Sequence, residues 1–437
     1  MAVKPKVARV YSGFARGTDC IISELEVSVT PGIPTFSVIG LCDSSIRESQ
    51  GRILTALRSS GFNMPKGHVT VSISPAYMKK SGSGFDLAMA IGILFASGQI
   101  PYNPNRRLYA EGELSLDGSV KGTPGAALRL NKAGSEDFSY ILIPEEERDS
   151  ARCTGFVGQC VKDLNEACSV FGLEGYNPEK LLLVEGSSRS ENKLDISMLK
   201  GQEKTKRALI LSAAGFHNML LLGSPGSGKT MAAKILSGIL PPLDPGETGE
   251  VYALYEALEG PSTKISSERP VRCISPDITA GQLLGNTISM TPGEMALANH
   301  GVLFADEIME FPSQVLELMR KPLEEREVRL FRNGITYTYP ADLIFVGAGN
   351  PCKCGMFYEP GSRCSCSAGM RKRYLTKLSG PFLERIDIFS EMRSIGKDDM
   401  ALMYADSDSA ESPAVREKVE RCWQIQRERY GGKIFNS

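Results

Sequence analysis

The clearest pattern in the sequence is MLLLGSPGSGKTMAAKIL, at residues 219–236. Apolar residues typical of a buried strand lead into GSPGSGKT, and a helical pattern follows. GSPGSGKT fits the spacing G-x-x-x-x-G-K-[ST], in which glycines let backbone N–H groups curl around a phosphate at the positive end of the next helix. Because strand, spacing and helix occur together, we predict a phosphate-binding P-loop rather than an ordinary Gly-rich turn.

The P-loop predicts two cofactors, ATP and Mg²⁺. We expect the ammonium group of Lys229 to reach the β- and γ-phosphates, and the hydroxyl of Thr230 to ligate Mg²⁺. The residues predicted to contact the nucleotide in this loop are Gly223, Ser224, Pro225, Gly226, Ser227, Gly228, Lys229 and Thr230.

A second apolar strand, GVLFADEI at residues 301–308, ends in two acidic residues. We predict that Asp306 holds Mg²⁺ through water and that Glu307 polarises the water that attacks the γ-phosphate, as a general base. An acidic pair at a strand end is a weak signal alone, but it is a strong one beside a P-loop.

Two further polar residues are candidates for the same site. Asn350 ends the apolar strand DLIFVGAGN and either orients the attacking water or is a turn residue before Pro351. Arg385, in GPFLERIDIF, lies between acidic residues, and its plain interpretation is a salt-bridged residue at a helix end.

Length and composition set limits on the rest of the molecule. A chain of 437 residues predicts two or three domains, and a net charge of -1 restricts any nucleic-acid contact to local patches. The amino terminus lacks a signal-peptide pattern, and the longest apolar run, at 87–96, is shorter than the roughly 20 residues that span a bilayer. The 11 cysteines, most of them scattered singly, fit a reducing compartment, so we expect a cytoplasmic protein without a membrane partner.

The fold class predicted from the pattern of strands and helices is α/β. Helical spacing at 44–61 and an apolar helix at 85–98, which we expect to be buried, alternate with short β-branched runs. The predicted divisions are an α/β domain at 1–172, a Pro-, Gly- and Ser-rich linker at 173–194, a second α/β domain at 195–392 and a carboxyl-terminal segment with one amphipathic helix at 393–437.

The motifs together resemble those of the AAA+ ATPases. GQEKTKRAL (201–209), the P-loop, FADE, the Gly-Asn pair and FLERID carry this resemblance, which assigns Gln202 to the nucleotide pocket. The amino-terminal stretch from TFSVIG to ASGQI, together with NPCKCG, CSC and SGPFLERID, is similar to the YifB/ComM family of magnesium-chelatase-like AAA+ ATPases. That likeness covers essentially the whole chain.

The resemblance implies a ring, a homo-oligomer of six subunits, that hydrolyses ATP. It implies a DNA helicase that drives branch migration during natural transformation, with branched or single-stranded DNA as partner. In such a ring Asn350 is the first sensor and Arg385 acts in trans on the ATP of the neighbouring subunit. Residues 393–437 match only the start of the family's helical lid, so we expect a truncated lid.

The amino-terminal domain also resembles the proteolytic domain of Lon, whose Ser-Lys dyad needs a nucleophile beside a base. Gly84 stands at the serine position and Ala127 at the lysine position. We therefore expect a non-proteolytic scaffold.

Two stretches are candidates for DNA contact. EREVRLFRNGITYTYP (325–340) has the Asn-Gly signal of a two-residue hairpin, and Arg329 and Arg332 near its tip either contact phosphates or protect a solvated edge. For the basic run RKRYLTKL (371–378) we favour a solvated face.

Four cysteines in NPCKCGMFYEPGSRCSCS offer the soft ligands that a closed structural Zn²⁺ site requires. The spacing C-x-C is tighter than usual, so free thiols or a redox clip remain alternatives. The candidate ligands are Cys352, Cys354, Cys364 and Cys366.

An ATP-driven DNA motor is the leading interpretation of these patterns. The alternatives are a chelatase-type ATPase subunit, and a nucleotide-binding assembly module that does not cycle because its lid is incomplete.

Overall fold

The computed structural model describes residues 7–80, 82–172, 175–182, 194–332, 334–359, 364–393 and 411–431. The chain divides into two compact units, each formed from two segments. The first unit comprises Met1–Ser187 and Pro245–Ser266, and the second comprises Ser188–Asp244 and Ser267–Ser437. The predicted domain at 195–392 is therefore interrupted, since 22 of its residues, 245–266, pack with the first unit.

The elements are numbered here in chain order. The strands are β1 Ala8–Arg16, β2 Asp19–Thr30, β3 Thr35–Ile39, β4 His68–Ser74, β5 Leu108–Ala110, β6 Glu113–Leu114, β7 Val120–Lys121, β8 Tyr140–Pro144, β9 Val157–Val161, β10 Glu179–Lys180, β11 Met219–Gly223, β12 Val271–Ile274, β13 Gly285–Asn286, β14 Thr291–Pro292, β15 Val302–Ala305, β16 Glu327–Arg332, β17 Ile335–Pro340, β18 Ile344–Gly349 and β19 Ile388–Met392. The helices are α1 Ser44–Ser59, α2 Asp86–Ser97, α3 Ala126–Gly134, α4 Arg148–Thr154, α5 Leu164–Ser169, α6 Glu203–Gly215, α7 Lys229–Ile239, α8 Pro245–Glu259, α9 Ala280–Leu284, α10 Glu294–Leu297, α11 Ser313–Glu325, α12 Ala368–Leu375, α13 Gly380–Leu383 and α14 Ser412–Arg429, with 3₁₀ turns at Glu145–Glu147, Ile196–Met198 and Ile308–Glu310.

The first unit is built on an eight-stranded sheet in the order β10-β9-β8-β5-β1-β2-β4-β3. Strands β1, β2 and β4 pair antiparallel, and β3, β5, β8 and β9 join through parallel pairs. Helix α2 is buried along its length from Asp86 to Ala96, which confirms the apolar helix predicted at 85–98. Gly92 allows its close approach to the sheet, because a Cβ there would lie 2.6 Å from Cγ2 of Val27.

One buried guanidinium, that of Arg129 on α3, neutralises acidic groups inside this unit. Its Nε donates to Oε2 of Glu111 at 2.8 Å, and its Nη2 donates to Oε1 of Glu147 at 3.3 Å. Burial, and next the charge of Glu111, raise the pKa of Glu147 well above its ordinary value. A buried carboxyl without its partner is costly, so this arginine ties α3 to the residue that follows β5 and to the 3₁₀ turn at Glu145–Glu147.

Helix α8 is anchored in the first unit by the carboxylate of Glu256. Its oxygens accept the N–H groups of Gly125, Ala126 and Ala127, at 2.9, 3.2 and 3.4 Å, which are free donors at the start of α3. This anchor explains why 245–266 leaves the second unit. It also buries Ala127, one of the positions predicted to lack a catalytic side chain; Gly84, the other, is buried as well.

Part of the predicted linker at 173–194 belongs to the first unit. Strand β10 pairs antiparallel with β9, and the hydroxyl of Tyr176 accepts the N–H of Ile141 at 3.1 Å. The Pro and Gly residues of this stretch are typical of a linker, which is why the sequence predicted one. Strand β10 has only two residues, too few to produce a recognisable strand pattern in the sequence. Residues 173–174 and 183–193 lie outside the described part of the chain.

The second unit is built on a five-stranded sheet in the order β12-β15-β18-β11-β19, with every neighbouring pair parallel. The carboxyl ends of these strands therefore meet at one edge. Strand β11 lies between strands that come much later in the chain, and ligands bind at such a reversal of strand order. Strands β11, β15 and β18 confirm the apolar strands predicted before the P-loop, the acidic pair and Asn350.

Helix α14 confirms the predicted amphipathic helix near the carboxyl terminus. It buries Val415, Val419 and Trp423, and the indole N–H of Trp423 donates to the carbonyl oxygen of Ala213 at 2.9 Å. The rest of the segment predicted as a truncated lid, residues 394–410 and 432–437, lies outside the described residues. Within the described helices, none has the length and apolar character needed to cross a bilayer.

The start of α14 is fastened by Asp195, whose carboxylate accepts the N–H groups of Ser197, Glu411 and Ser412 at 2.8, 3.1 and 2.9 Å. Burial acts to raise the pKa of Asp195, but these three hydrogen bonds outweigh it and hold the pKa well below its ordinary value. A depressed pKa contributes stability that is present above the unfolded-state value, about 3.9, and is lost as the pH falls below it.

We therefore expect Asp195→Asn to lower the melting temperature near neutral pH, with the difference from the wild type narrowing below about pH 4. Thermal unfolding monitored by circular dichroism across this range measures the difference. Glu417→Gln, the same charge change on an exposed residue of α14, is the control and should have little effect. A difference for Asp195→Asn that is constant between about pH 7 and about pH 3 would contradict the assignment.

Candidate nucleotide site and cysteine cluster

The loop between β11 and α7 has the glycine requirements of a phosphate-binding loop. Gly226 and Gly228 have φ angles of 77° and 91°, in the left-handed region that favours glycine. A Cβ at Gly223 would lie 2.6 Å from the carbonyl oxygen of Met392 on the neighbouring strand β19. The loop is thus shaped by backbone conformations and approaches that side chains would obstruct.

Lys229, the first residue of α7, lies folded over this loop. Its Nζ donates to the carbonyl oxygens of Gly223 at 2.8 Å and Ser224 at 2.9 Å, and it lies 3.4 Å from Oδ1 of Asn350. Burial lowers the pKa of Lys229, and the charges of Asp306 and Glu307 oppose that effect. Among the described residues, the oxygens that accept hydrogen bonds from this ammonium group are neutral, so its charge is available to bind an anion.

The structure brings Thr230 and Asp306 together, as the sequence predicted. Oγ1 of Thr230 donates to Oδ2 of Asp306 at 3.3 Å, although these residues are 76 positions apart. Oδ1 of the same carboxylate accepts the N–H of Glu307 at 2.9 Å. A hydroxyl and a carboxylate in contact offer the oxygen ligands that Mg²⁺ prefers, beside the place where phosphates would lie.

Glu307 has an unusual backbone, with φ 51° and ψ 42°. This left-handed conformation is uncommon for a residue with a side chain and is concentrated at functional sites. The 3₁₀ turn Ile308–Glu310 follows directly. Its Met309 packs on β18: a Cβ added at Gly349 would lie only 3.2 Å from Cγ of Met309. The side chain of Glu307 is exposed at the sheet edge.

The remaining predicted site residues have well-defined neighbours. Gln202 is buried and its Nε2 donates to the carbonyl oxygen of Arg393 at 2.5 Å, beside the end of β19. Arg385 forms ion pairs with Glu324 and, at 3.4 Å, with Glu384. Within this chain its described partners are therefore acidic residues, and a role toward a phosphate stays a prediction.

The four cysteines of the 350–367 stretch converge. Their Sγ atoms all lie within 4.8 Å of one another, with separations of 3.3 Å from Cys352 to Cys354, 3.5 Å from Cys354 to Cys364 and 3.8 Å from Cys352 to Cys364. Zinc–sulphur bonds of about 2.3 Å place the corners of a tetrahedral site about 3.8 Å apart. The four thiols therefore fit one metal ion, and the cluster is completed by Cys366.

Two of these thiols differ in acidity. Burial, followed by hydrogen bonds to its neighbours, raises the pKa of Cys352 to about 11. The N–H of Met356 and then the thiol of Cys352 lower the pKa of Cys354 to about 6. Cys354 is thus the thiol best prepared to be a thiolate, the form that ligates a metal.

Sequence reasoning missed the contacts between the cysteine stretch and the nucleotide site. The backbone of Gly355 lies against the P-loop, so closely that a Cβ added at Gly355 would lie 2.8 Å from Cδ of Pro225. The run 371–378 is mostly exposed, as predicted for a solvated face, but two of its cations also have protein partners: Lys377 donates to the carbonyl oxygen of Met309 at 2.8 Å, and Arg371 donates to that of Cys366 at 2.6 Å. In the sequence, the glycine at position 355 was the signal that the backbone of this stretch could approach another part of the chain closely.

Comparison with family profiles matches both parts of the chain. Residues 195–400 match the family described as magnesium chelatase, subunit ChlI, and residues 25–147 match that described as subunit ChlI of Mg-chelatase. Among solved structures, the complex between subunits BchI and BchD of magnesium chelatase, from cryo-EM, aligns with 54% of this chain and 73% of that chain, at a TM-score of 0.36 and 21% identity.

Relatives match along most of the chain. The uncharacterized protein YifB of Escherichia coli is 34% identical over 385 residues, which cover 88% of this chain and 75% of that protein. Competence protein ComM of Haemophilus influenzae is 32% identical over 429 residues, 97% of this chain and 84% of that protein. The magnesium-chelatase 38 kDa subunit of Cereibacter sphaeroides is 27% identical over 173 residues, 36% of this chain and 52% of that protein.

Two variants distinguish the predicted role of Lys229 in ATP binding from that of Glu307 in ATP hydrolysis. Lys229→Ala is expected to lose ATP binding, because it removes the cation that faces the phosphates. Glu307→Gln is expected to bind ATP normally and to hydrolyse it at least about a hundredfold more slowly, because it removes the general base. Titration with a fluorescent ATP analogue and a phosphate-release assay measure the two effects.

Glu203→Gln, an exposed acid on α6, is the matched control and should leave both measurements unchanged. Normal hydrolysis by Glu307→Gln would show that another group activates the water.

Proposed function

The chain belongs to the YifB/ComM family of magnesium-chelatase-like AAA+ ATPases, and from that membership we propose that it is an ATP-driven motor on DNA, a helicase of the kind that drives branch migration in natural transformation. The observation that carries the proposal is the meeting of Lys229, Asp306, Glu307 and Asn350 at one edge of the parallel sheet. These residues have the chemistry to bind, orient and cleave a nucleoside triphosphate.

Each residue has a distinct task in the proposed reaction. Lys229, held over the P-loop, exchanges loop carbonyl oxygens for phosphate oxygens when ATP binds. Thr230 and Asp306 hold Mg²⁺, which supplies charge compensation on the phosphates when bound. Glu307 accepts the proton of the attacking water, and Asn350, within reach of Lys229, orients that water.

We propose a ring, with six subunits, in which Arg385 completes the site of the neighbouring subunit. Its guanidinium is held by Glu324 and Glu384 near the surface, 25% exposed, and not by the P-loop of its own chain. An arginine held in this way can stabilise the charge that develops on the transferred phosphoryl group of another subunit.

DNA contact is proposed for the hairpin β16–β17, whose strands pair from Glu327↔Pro340 to Arg332↔Ile335. At its tip, Phe331 is 66% exposed, and Arg332 donates to the carbonyl oxygen of Ile288, an exposed residue of the neighbouring loop. Arg329, in contrast, is paired with Glu327 and Glu325. Arg332 is thus the better candidate for a phosphate contact; Asn333, in the predicted turn, lies outside the described residues.

A structural zinc ion is part of the proposal. The four thiols converge at separations that suit tetrahedral zinc, and four soft ligands make a closed site. Cys352, Cys354, Cys364 and Cys366 would hold the ion, which would join two parts of the loop and take no part in hydrolysis.

A chelatase-type ATPase subunit is the second candidate function. The match to a magnesium-chelatase subunit covers 36% of this chain, whereas the YifB and ComM matches cover 88% and 97%, which favours the motor. A third candidate is an assembly module that binds nucleotide without hydrolysing it.

Forked DNA is therefore expected to raise the rate of ATP hydrolysis by the purified chain, which distinguishes the three candidates. Porphyrin-dependent turnover that DNA does not affect would favour a chelatase subunit. Nucleotide binding without any hydrolysis would favour the assembly module.

In DNA-binding titrations at several salt concentrations, Arg332→Ala should weaken DNA binding equally for all sequences and reduce the slope of log affinity against log salt by about one, because one phosphate contact is lost. Arg329→Ala is the comparison, with a smaller expected effect since two glutamates already offset its charge. Unchanged binding by Arg332→Ala would remove the hairpin from the interface.

The action of Arg385 between subunits has its own test. Arg385→Ala and Glu307→Gln are each expected to lack ATPase activity alone, for different reasons. In mixed rings an Arg385→Ala subunit keeps its base and can receive the arginine of a Glu307→Gln neighbour, so mixing should restore part of the activity. Absence of any recovery, when mixed assembly is confirmed by tagged pull-down, would show that Arg385 acts within its own subunit or not at all.

A further inference from the structure

The cysteine cluster is connected to the nucleotide site through three separate contacts. The first is covalent, since Asn350 precedes Cys352 by two residues and its Oδ1 lies 3.4 Å from Nζ of Lys229. The others run from the two halves of the cluster to different parts of the site. Here the cysteine loop denotes residues 351–359 and 364–367.

The first half of the cysteine loop packs on the P-loop. Cys352 and Cys354 flank a turn in which the N–H of Gly355 donates to the carbonyl oxygen of Cys352 at 2.9 Å. Gly355 has a φ of 78°, and a Cβ on it would lie 2.8 Å from Cδ and 3.1 Å from Cγ of Pro225. The position of this turn therefore limits where Pro225 can lie.

The second half of the cysteine loop leads into α12, and residues in this helix and just after it hold the turn that follows Glu307. The hydroxyl of Tyr374 donates to Oε1 of Glu310 at 3.2 Å, and Nζ of Lys377 donates to the carbonyl oxygen of Met309 at 2.8 Å. These bonds fix the residues that directly follow the proposed general base.

Arg371 joins the two halves of the loop on the protein side. Its Nη1 donates to the carbonyl oxygen of Cys366 at 2.6 Å, and its guanidinium lies 4.3 Å from the ring centroid of Phe357. The sulphur atoms of cysteines are weak hydrogen-bond donors and acceptors, so hydrogen bonds among the four would add little to this connection. A metal ion shared by four thiolates would instead fix both halves together.

We propose that the metal ion bound by the four cysteines controls the affinity of this chain for ATP, by fixing Pro225 through the Gly355 turn and the Glu307 turn through α12. The proposal rests on the nucleotide-binding function inferred above. Loss of the ion would free both halves of the cysteine loop. The P-loop and the turn after Glu307 would then no longer be held in fixed positions relative to each other. The coupling is between two different sites, a closed thiolate site and the phosphate site.

The test compares cysteines inside and outside the cluster. Cys354→Ser removes one exposed ligand, whereas Cys273→Ser and Cys422→Ser remove exposed thiols elsewhere and serve as matched controls. Zinc per chain is measured by elemental analysis after reducing purification, and ATP affinity by titration with a fluorescent analogue. Cys354→Ser should lose zinc and bind the analogue about tenfold more weakly or worse, since small displacements of binding groups are costly; the controls should match the wild type.

A second variant tests the mechanical link with every thiolate retained. Gly355→Ala should keep its zinc and still bind ATP more weakly, because the added Cβ displaces Pro225. Gly369→Ala, in the same region, is the control, since its Cβ would meet nothing closer than 4.0 Å. This pair remains informative if Cys354→Ser does not fold.

The outcomes separate the two proposals. Zinc-free Cys354→Ser with wild-type ATP affinity, or a wild-type chain that holds no zinc, would overturn the control of affinity by metal. Zinc-loaded wild type that binds no ATP analogue would overturn the proposed function itself.

Discussion

Parallel pairing in register is the constraint on which the nucleotide site depends. Leu222 of β11 lies opposite Gly349 of β18, and Ala305 of β15 lies opposite Gly347 of the same strand. The residues that follow these strands, from the P-loop to Asn350, therefore leave the sheet side by side. A shift of one residue in either pairing would turn alternate side chains to the other face and separate Thr230 from Asp306. The buried glycines of β18 permit this arrangement, because Ile308 and Met309 pack directly over them.

A second layer of contacts supports the groups at that edge. The left-handed backbone of Glu307 is a costly conformation, and a residue keeps it only where the surroundings enforce it. Here the enforcement comes from both sides, since β18 lies beneath the turn, and Tyr374 of α12 and Lys377, just after that helix, hold its end. The cysteine cluster lies immediately before α12 in the chain. A stretch to which no reacting group is assigned thus leads into the helix that contacts the turn after the proposed general base.

The sequence predicted those features that are encoded locally. The P-loop, the acidic pair and the strands before them follow from short patterns, and the structure brings Thr230 and Asp306 together as expected. Features that depend on distant partners were not accessible. Glu256 gives no sign in the sequence that its acceptor oxygens will meet N–H groups about 130 positions earlier, so the transfer of 245–266 to the first unit was missed. The basic run 371–378 is mostly exposed, as predicted, but composition does not show that Lys377 and Arg371 also have carbonyl partners.

The path of 245–266 has a consequence for how the molecule forms. Leu243 and Ser267 are joined by a backbone hydrogen bond of 2.9 Å, so the excursion leaves and re-enters at one point. Synthesis proceeds from the amino terminus, and domains tend to fold as they emerge. The first unit, however, lacks the helix that satisfies the start of α3 until residue 266 has been made. By then the P-loop has already been synthesised, so the first unit can be completed only after part of the second unit has been made.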